Sequence, residues 1–186
     1  MLDKFIRSLR DRLAKALGCE VGGLYKVKAT VDKYHEDISD YKGHESEFYN
    51  MFTPYDTVEC ERNGLLNEGV NAIWTLVCGG SEDAFDNTNA RIGVGDDSTA
   101  HAASQTDLQA STNKLYKAMD EGYPTYGTSQ KAVFKSSFGS DDANFAWAEW
   151  SVDNGSVAAK NINRKVESLG TKSSGTWALT VEISLS

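Results

Sequence analysis

The chain has 186 residues, with 19 Lys and Arg against 27 Asp and Glu and a net charge of −8, a length that suits one domain with an appendage and burial of about 70% of the unfolded surface. Hydrophobic residues make up 40% before the 16 glycines are counted, an ordinary globular composition that argues against disorder throughout. The negative excess repels a phosphate backbone, so no nucleic-acid partner is expected, and no stretch reaches the roughly 20 apolar residues of a membrane span.

Residues 2–17 carry the strongest helical period. Leu2, Phe5, Ile6, Leu9, Leu13 and Leu17 recur at steps of three and four and fall on one stripe. Gly18 stands where a C-cap belongs. Lys4, Arg7, Arg10, Arg12 and Lys15 against Asp3 and Asp11 give this segment a charge of +3. Such a basic amphipathic helix suits docking on its own domain or on a partner, and its scattered charges deny it the apolar core of a signal peptide.

From Gly22 the period becomes two: Tyr25, Val27, Ala29 and Val31 alternate with Lys26, Lys28, Thr30 and Asp32, which predicts a strand over 22–33 with one wet face. Residues 35–57 lose all period and hold six acids against one Lys. A loop of that length usually makes contacts, and Tyr41, Phe48, Tyr49, Met51, Phe52 and Tyr55 favour it, because exposed aromatic rings are costly. Residues 63–78 predict a second helix, with Leu66, Val70, Ile73 and Val77 on its apolar stripe, Leu65, Ala72 and Trp74 beside it, and Gly79–Gly80 at its end.

Beyond Ser81 short alternating runs are punctuated by Gly, Asn, Asp and Ser. Strands are expected at 90–94, 114–119, 131–138, 146–152, 161–166 and 177–185. The last is the clearest, with Trp177, Leu179, Val181, Ile183 and Leu185 facing one way. With the strand near 25 these make seven, and their close spacing predicts a mainly β fold: an antiparallel β-sandwich, jelly-roll-like, with the two helices added.

Chemical motifs are sparse. The run RIGVGDDST has neither the Lys-Ser/Thr ending of a phosphate loop nor GxGxxG spacing, and reads as a strand end and turn. Asp83, Asp86, Asn87 and Asn89, then Asp96 and Asp97, then Asp141, Asp142 and Asn144 form oxygen-rich clusters without EF-hand spacing; they read as turns, with no metal or cofactor expected. His35, His44 and His101 sit in polar settings, no GxSxG or HExxH occurs, and no enzymatic activity or catalytic residue is expected. Cys19, Cys60 and Cys78 make neither a CxxC pair nor an even set and are expected reduced. Asn154-Gly155-Ser156 matches a glycosylation sequon, but between strands it is a hairpin turn first. Alternation over 145–152 puts Phe145 and Trp147 on one face with Glu149 and Trp150 on the other, so Phe145 and Trp147 are a candidate ligand platform if they are not core.

The ordered elements NGLLNEGVNAIWTLVCGG, NARIGVGDDSTAHAASQTDLQA, NKLYKAMDEGYP, FKSSFGSDDANFAWAEWSVDNG and NRKVESLGTKSSGTWALTVEISLS resemble a family of tailed-bacteriophage virion proteins, variously fibre-like, tail-associated or head-decorating. The resemblance covers about residues 63–186 and implies a β-rich body without catalytic machinery. It implies a virion protein assembled in the host cytoplasm, most simply a capsid decoration or cement component and homo-oligomer bound to the major capsid or other virion proteins. A tail or neck fibre-base protein and, from another class, a glycan-binding module are the alternatives. On this reading 1–62 is the attachment region, with Phe5, Leu9 and Leu13 of the helix and Tyr41, Phe48, Tyr49, Phe52 and Tyr55 of the arm touching the partner, and 63–186 is the body.

Overall fold

A computed structural model describes residues 25–61, 64–155 and 158–185. The expected helix over 2–17, with Phe5, Leu9 and Leu13, lies outside the described residues, as do Cys19 and Ser156.

Among the described residues ten strands form two five-stranded antiparallel sheets: β1 (Tyr25–Tyr34), β2 (Asp56–Glu61), β3 (Gly64–Leu65), β4 (Arg91–Gly95), β5 (Lys114–Ala118), β6 (Thr125–Thr128), β7 (Lys131–Phe138), β8 (Ala146–Asp153), β9 (Asn163–Thr171) and β10 (Thr176–Leu185). The first sheet has the order β2-β1-β10-β7-β6 and the second β3-β9-β8-β4-β5. The sandwich expected from alternation is therefore present. β2, β3 and β6 were not expected: β2 has only Val58 and Cys60 as apolar residues, β3 is two residues long, and all four residues of β6 are exposed.

Between the sheets lies one apolar core. Val27, Ala29 and Val31 of β1, Leu179 and Val181 of β10 and Phe134 and Phe138 of β7 meet Ile92 and Val94 of β4 and Trp147, Trp150 and Val152 of β8. Strict alternation would put Trp147 and Trp150 on opposite faces. The register of β8 against β9 shifts between Trp147 and Glu149, so both indoles enter the core and Glu149 turns to the outer face. Trp147 is 0% exposed and edge-on to Phe138 and Trp177, with ring centroids 4.8 and 4.9 Å away. It is core, not platform, and Phe145 is half-buried at the rim.

Residues 25–61 belong to the same sandwich, since β1 pairs along its whole length with β10 and also with β2. A boundary at residue 62 thus cuts through a sheet. The aromatic arm folds onto the outer face of that sheet through a 3-10 turn (Ser39–Tyr41) and a short helix α1 (Glu45–Met51). Phe48, fully buried, packs with Tyr34, Ile38 and Ala178, and Tyr41, Tyr49 and Phe52 close around them. Of the five rings expected to touch a partner, Tyr41, Phe48, Tyr49 and Phe52 pack on the chain's own sheet, and Tyr55 does not.

Helix α2 (Asn67–Val77) packs by a different face from the one its apolar stripe suggests. Leu66, Gly69 and Ala72 are buried, while Ile73, Trp74 and Val77 are 36%, 62% and 69% exposed. Gly69 is the reason: a Cβ there would strike the Asn161 carbonyl and Ile162 Cα, so the missing side chain lets the helix lie directly on that backbone.

Candidate functional site

Three regions are candidate sites: the loop after the IGVG strand, the polar cluster beneath the arm, and the apolar end of the sandwich.

The segment 96–113 lies over the outer face of β8 and β9, held by a buried carboxylate. Glu149 accepts the Gln109 and Ala110 backbone N–H groups at 3.0 and 2.7 Å and Arg164 Nε at 2.5 Å, with both ionised side chains 0% exposed. Arg164 also donates to the Thr99 carbonyl, to Gln105 Oε1 and, at 3.4 Å, to Asp97. A Cβ at Gly95 would meet Glu149 Oε1 at 2.5 Å. The second glycine of IGVG therefore serves a close approach of this carboxylate, and no phosphate cradle is formed.

Each acidic cluster has an Asp that accepts backbone N–H groups. Asp86 accepts the Thr88 and Asn89 N–H groups, Asp97 that of Thr99, and Asp142 that of Gly139. Among the described residues no group of three or more His, Cys, Asp and Glu is placed to hold a metal ion. Cys60 is buried, which pushes its thiol up to about 11, and Cys78 is exposed; neither is in a disulfide.

Beneath the arm, Asp120 is buried and accepts the Tyr49 hydroxyl at 2.7 Å and the Ser137 hydroxyl and N–H at 2.7 and 2.9 Å, while Lys135 Nζ lies 3.2 Å from the Tyr49 ring centroid. Burial pushes the Asp120 carboxyl above its ordinary range and the Lys135 ammonium below its own. Asp153, buried beside Arg91, is raised by the same cause. Each of these groups is committed to a protein partner, which is the arrangement of a structural network.

Lys172 gives a pH test at a separate buried site. Its Nζ donates to the Gly139 carbonyl at 2.6 Å and to Asn144 Oδ1 at 3.0 Å. Burial lowers its ammonium to about 8, against the pull of Asp142, Asp37 and Asp141. The unfolded chain keeps this proton up to about 10.4, so between about 8 and 10.4 the unfolded state binds more protons and the site's contribution to stability rises with pH. Urea melts of the wild type and Lys172→Met at about pH 7 and about pH 10 should show the difference moving in favour of the wild type at the higher pH. An unchanged difference would contradict the assignment.

The third region is an open apolar groove of about 550 Å3 at the end of the sandwich where β1 begins. It is walled by Tyr25 of β1, Leu65 of β3, Ile73 of α2, Phe85, Tyr126 of β6, Phe134 of β7 and Ile183 and Leu185 of β10. Of seven large hydrophobic side chains exposed among the described residues, Ile73, Trp74, Val77, Tyr126 and Leu185 lie on α2, β6 and the end of β10, all elements of this wall. The other two, Met51 and Tyr55, belong to the arm, with Tyr55 stacked on His35 at 4.1 Å. β1 pairs Tyr25 with Leu185 and Tyr34 with Thr176. The groove and the arm are therefore at opposite ends of a ten-residue strand, about 30 Å apart.

No single stretch of sequence marks the groove. Its walls come from at least seven separate elements or loops, and only the unsuspected exposure of Ile73 on α2 links it to a local pattern. Comparisons with protein-family models, curated proteins and solved structures found no match.

Proposed function

We propose that this chain is a non-enzymatic structural subunit of a tailed-bacteriophage particle, a capsid decoration or cement protein whose sandwich projects from the shell and whose groove end faces it. The observation that carries the attachment reading is the gathering of exposed apolar side chains at one pole of a body whose buried charges are otherwise paired internally. A contiguous apolar patch of this kind marks an interaction surface. The resemblance of residues 63–186 to virion proteins names the kind of assembly. Trp147 is unavailable as a sugar platform, so the structure adds nothing to the glycan-binding alternative.

The test is sedimentation of the purified chain with phage heads and, separately, with tails, together with the heat tolerance of the decorated heads. Binding to heads with raised tolerance is expected. Trp74→Glu with Tyr126→Glu, both at exposed positions, should weaken binding by about 30-fold or more, because loss of an aromatic anchor typically costs about 2 kcal/mol or more, while leaving the melt of the free chain unchanged. Binding to tails alone would assign the chain to a fibre base, and binding to neither would overturn the reading.

A further inference from the structure

Between the arm and the strands beside it lies a polar cleft of about 310 Å3, lined by Ile38, Lys42 and Glu45 of the arm, by Met119 and Asp120 just after β5, and by Asp142. That volume is at the small end of the range for small-molecule sites. Asp120 is 4% exposed in this lining, and the donors paired with it are all neutral: the Tyr49 and Ser137 hydroxyls and the Ser137 N–H. Lys135 sets its ammonium over the Tyr49 ring instead. The hydrogen bonds of this carboxylate are therefore made, while among the described residues it forms no ion pair.

Charge around the cleft is unbalanced in one direction. Lys117 is tied to Asp142 at 2.7 Å, which leaves the Asp120 and Glu45 carboxylates against the ammonium of Lys42, exposed at the rim. Glu45 reaches from the arm to accept the Glu121 N–H at 3.1 Å, next to Asp120, and it too forms no ion pair among the described residues. Burial pushes the Asp120 carboxyl up and the Glu45 charge adds to this, with Lys135 offsetting part of it. One added positive charge would stabilise both carboxylates. The rest of the lining indicates its chemistry. No group of His, Cys, Asp and Glu among the described residues is placed to hold a metal ion, and the buried Ile38 and Met119 side chains offer apolar contact. An ammonium brings three donors to carboxylates, and a short alkyl chain behind it suits those two side chains.

We propose that this cleft binds a small aliphatic amine, its ammonium held by the Asp120 and Glu45 carboxylates and its alkyl chain lying along Ile38 and Met119. The ligand would bridge the arm, through Glu45 and Ile38, to the segment after β5, and so fasten the arm to the body. This inference concerns the isolated chain and does not depend on the particle or on the groove.

Methyl NMR of the full chain labelled at methionine tests it, with n-butylammonium as the probe and n-butanol as its neutral counterpart at the same ionic strength. The Met119 methyl should shift and saturate with n-butylammonium at or below an order of tens of millimolar, an affinity in keeping with so small a ligand. Met51, exposed on the arm and outside the lining, should not shift, and n-butanol should move neither. Asp120→Asn should weaken binding by about tenfold or more, since a hydrogen bond to a charged group is lost. Glu45→Gln, which keeps an acceptor for the Glu121 N–H, should weaken it by about threefold or more and decides the matter if Asp120→Asn does not fold. The proposal is overturned if Met119 shows no saturable shift, if n-butanol reproduces the shift, or if Glu45→Gln binds n-butylammonium as the wild type does.

Discussion

Replacing Glu149 by Ala should cost about 3–5 kcal/mol of folding stability, the range for breaking a buried ion pair by removing one partner. The carboxylate is the common acceptor for Arg164 and for the Gln109 and Ala110 N–H groups. Without it the guanidinium, 0% exposed, keeps neutral partners and an Asp97 oxygen 3.4 Å away. Two backbone donors also lose their acceptor, at about 1–3 kcal/mol each if they stay buried. Such a loss is a large part of the roughly 5–15 kcal/mol that holds a domain together. Urea melts measure it directly, and Glu149→Gln should fall between, since it keeps an acceptor but not the charge. A Glu149→Ala protein that melts within about 1 kcal/mol of the wild type would show that segment 96–113 is held by something else. The double replacement Glu149→Leu with Arg164→Met should recover much of the loss, because the damage comes from the orphaned cation more than from the absent attraction.

Val181→Asp should leave little folded protein. Val181 is fully buried in β10, in register with Ala29 of β1 and Phe134 of β7, all within the core. A carboxylate there has no cation to meet, and burying it costs several kcal/mol whether it stays charged or takes a proton. The neighbouring position is the control. Glu182 points outward to Lys131, with both side chains more than a third exposed, so Glu182→Gln should change stability by less than about 1 kcal/mol. Circular dichroism and urea melts of the two variants decide the point; a folded Val181→Asp protein would contradict the placement of β10 in the core.

Strands were legible where one face is dry and the other wet. β10 and β1 alternate cleanly, and β7 spans the residues its alternation predicts. Alternation misled at β8 because the register shift after Trp147 changes the phase, and nothing in NFAWAEWSV signals it. β2 was missed because its edge position lets Glu59 and Glu61 stay in water, which dilutes the apolar signal. α1 has seven residues, too few to display a period. On α2 the apolar stripe misdirected the reading: small residues, Gly69 and Ala72, made the contact, and of the larger ones Ile73 lines the groove while Trp74 and Val77 are exposed. The arm's aromatic content correctly signalled a need for cover, but composition alone does not distinguish a partner from the chain's own sheet.

The candidate site was the least legible part. Phe48 and Trp147 are buried, Tyr41, Tyr49 and Phe52 close the outer cluster, and Tyr55 alone of those arm residues is largely exposed. The groove instead depends on the register that brings Tyr25 beside Leu185 and on the crossing of α2 over the end of the sandwich. Such juxtapositions belong to topology, which local periodicity does not encode.

Under the proposed function the chain attaches to a particle by its groove end, and electron cryomicroscopy of purified particles would show the attachment. The sandwich should appear on the head surface with the Tyr25 end against the shell and the Tyr34 end, with its aromatic arm, pointing outward. Particles that lack the sandwich, or that hold it by the Tyr34 end, would contradict the claim.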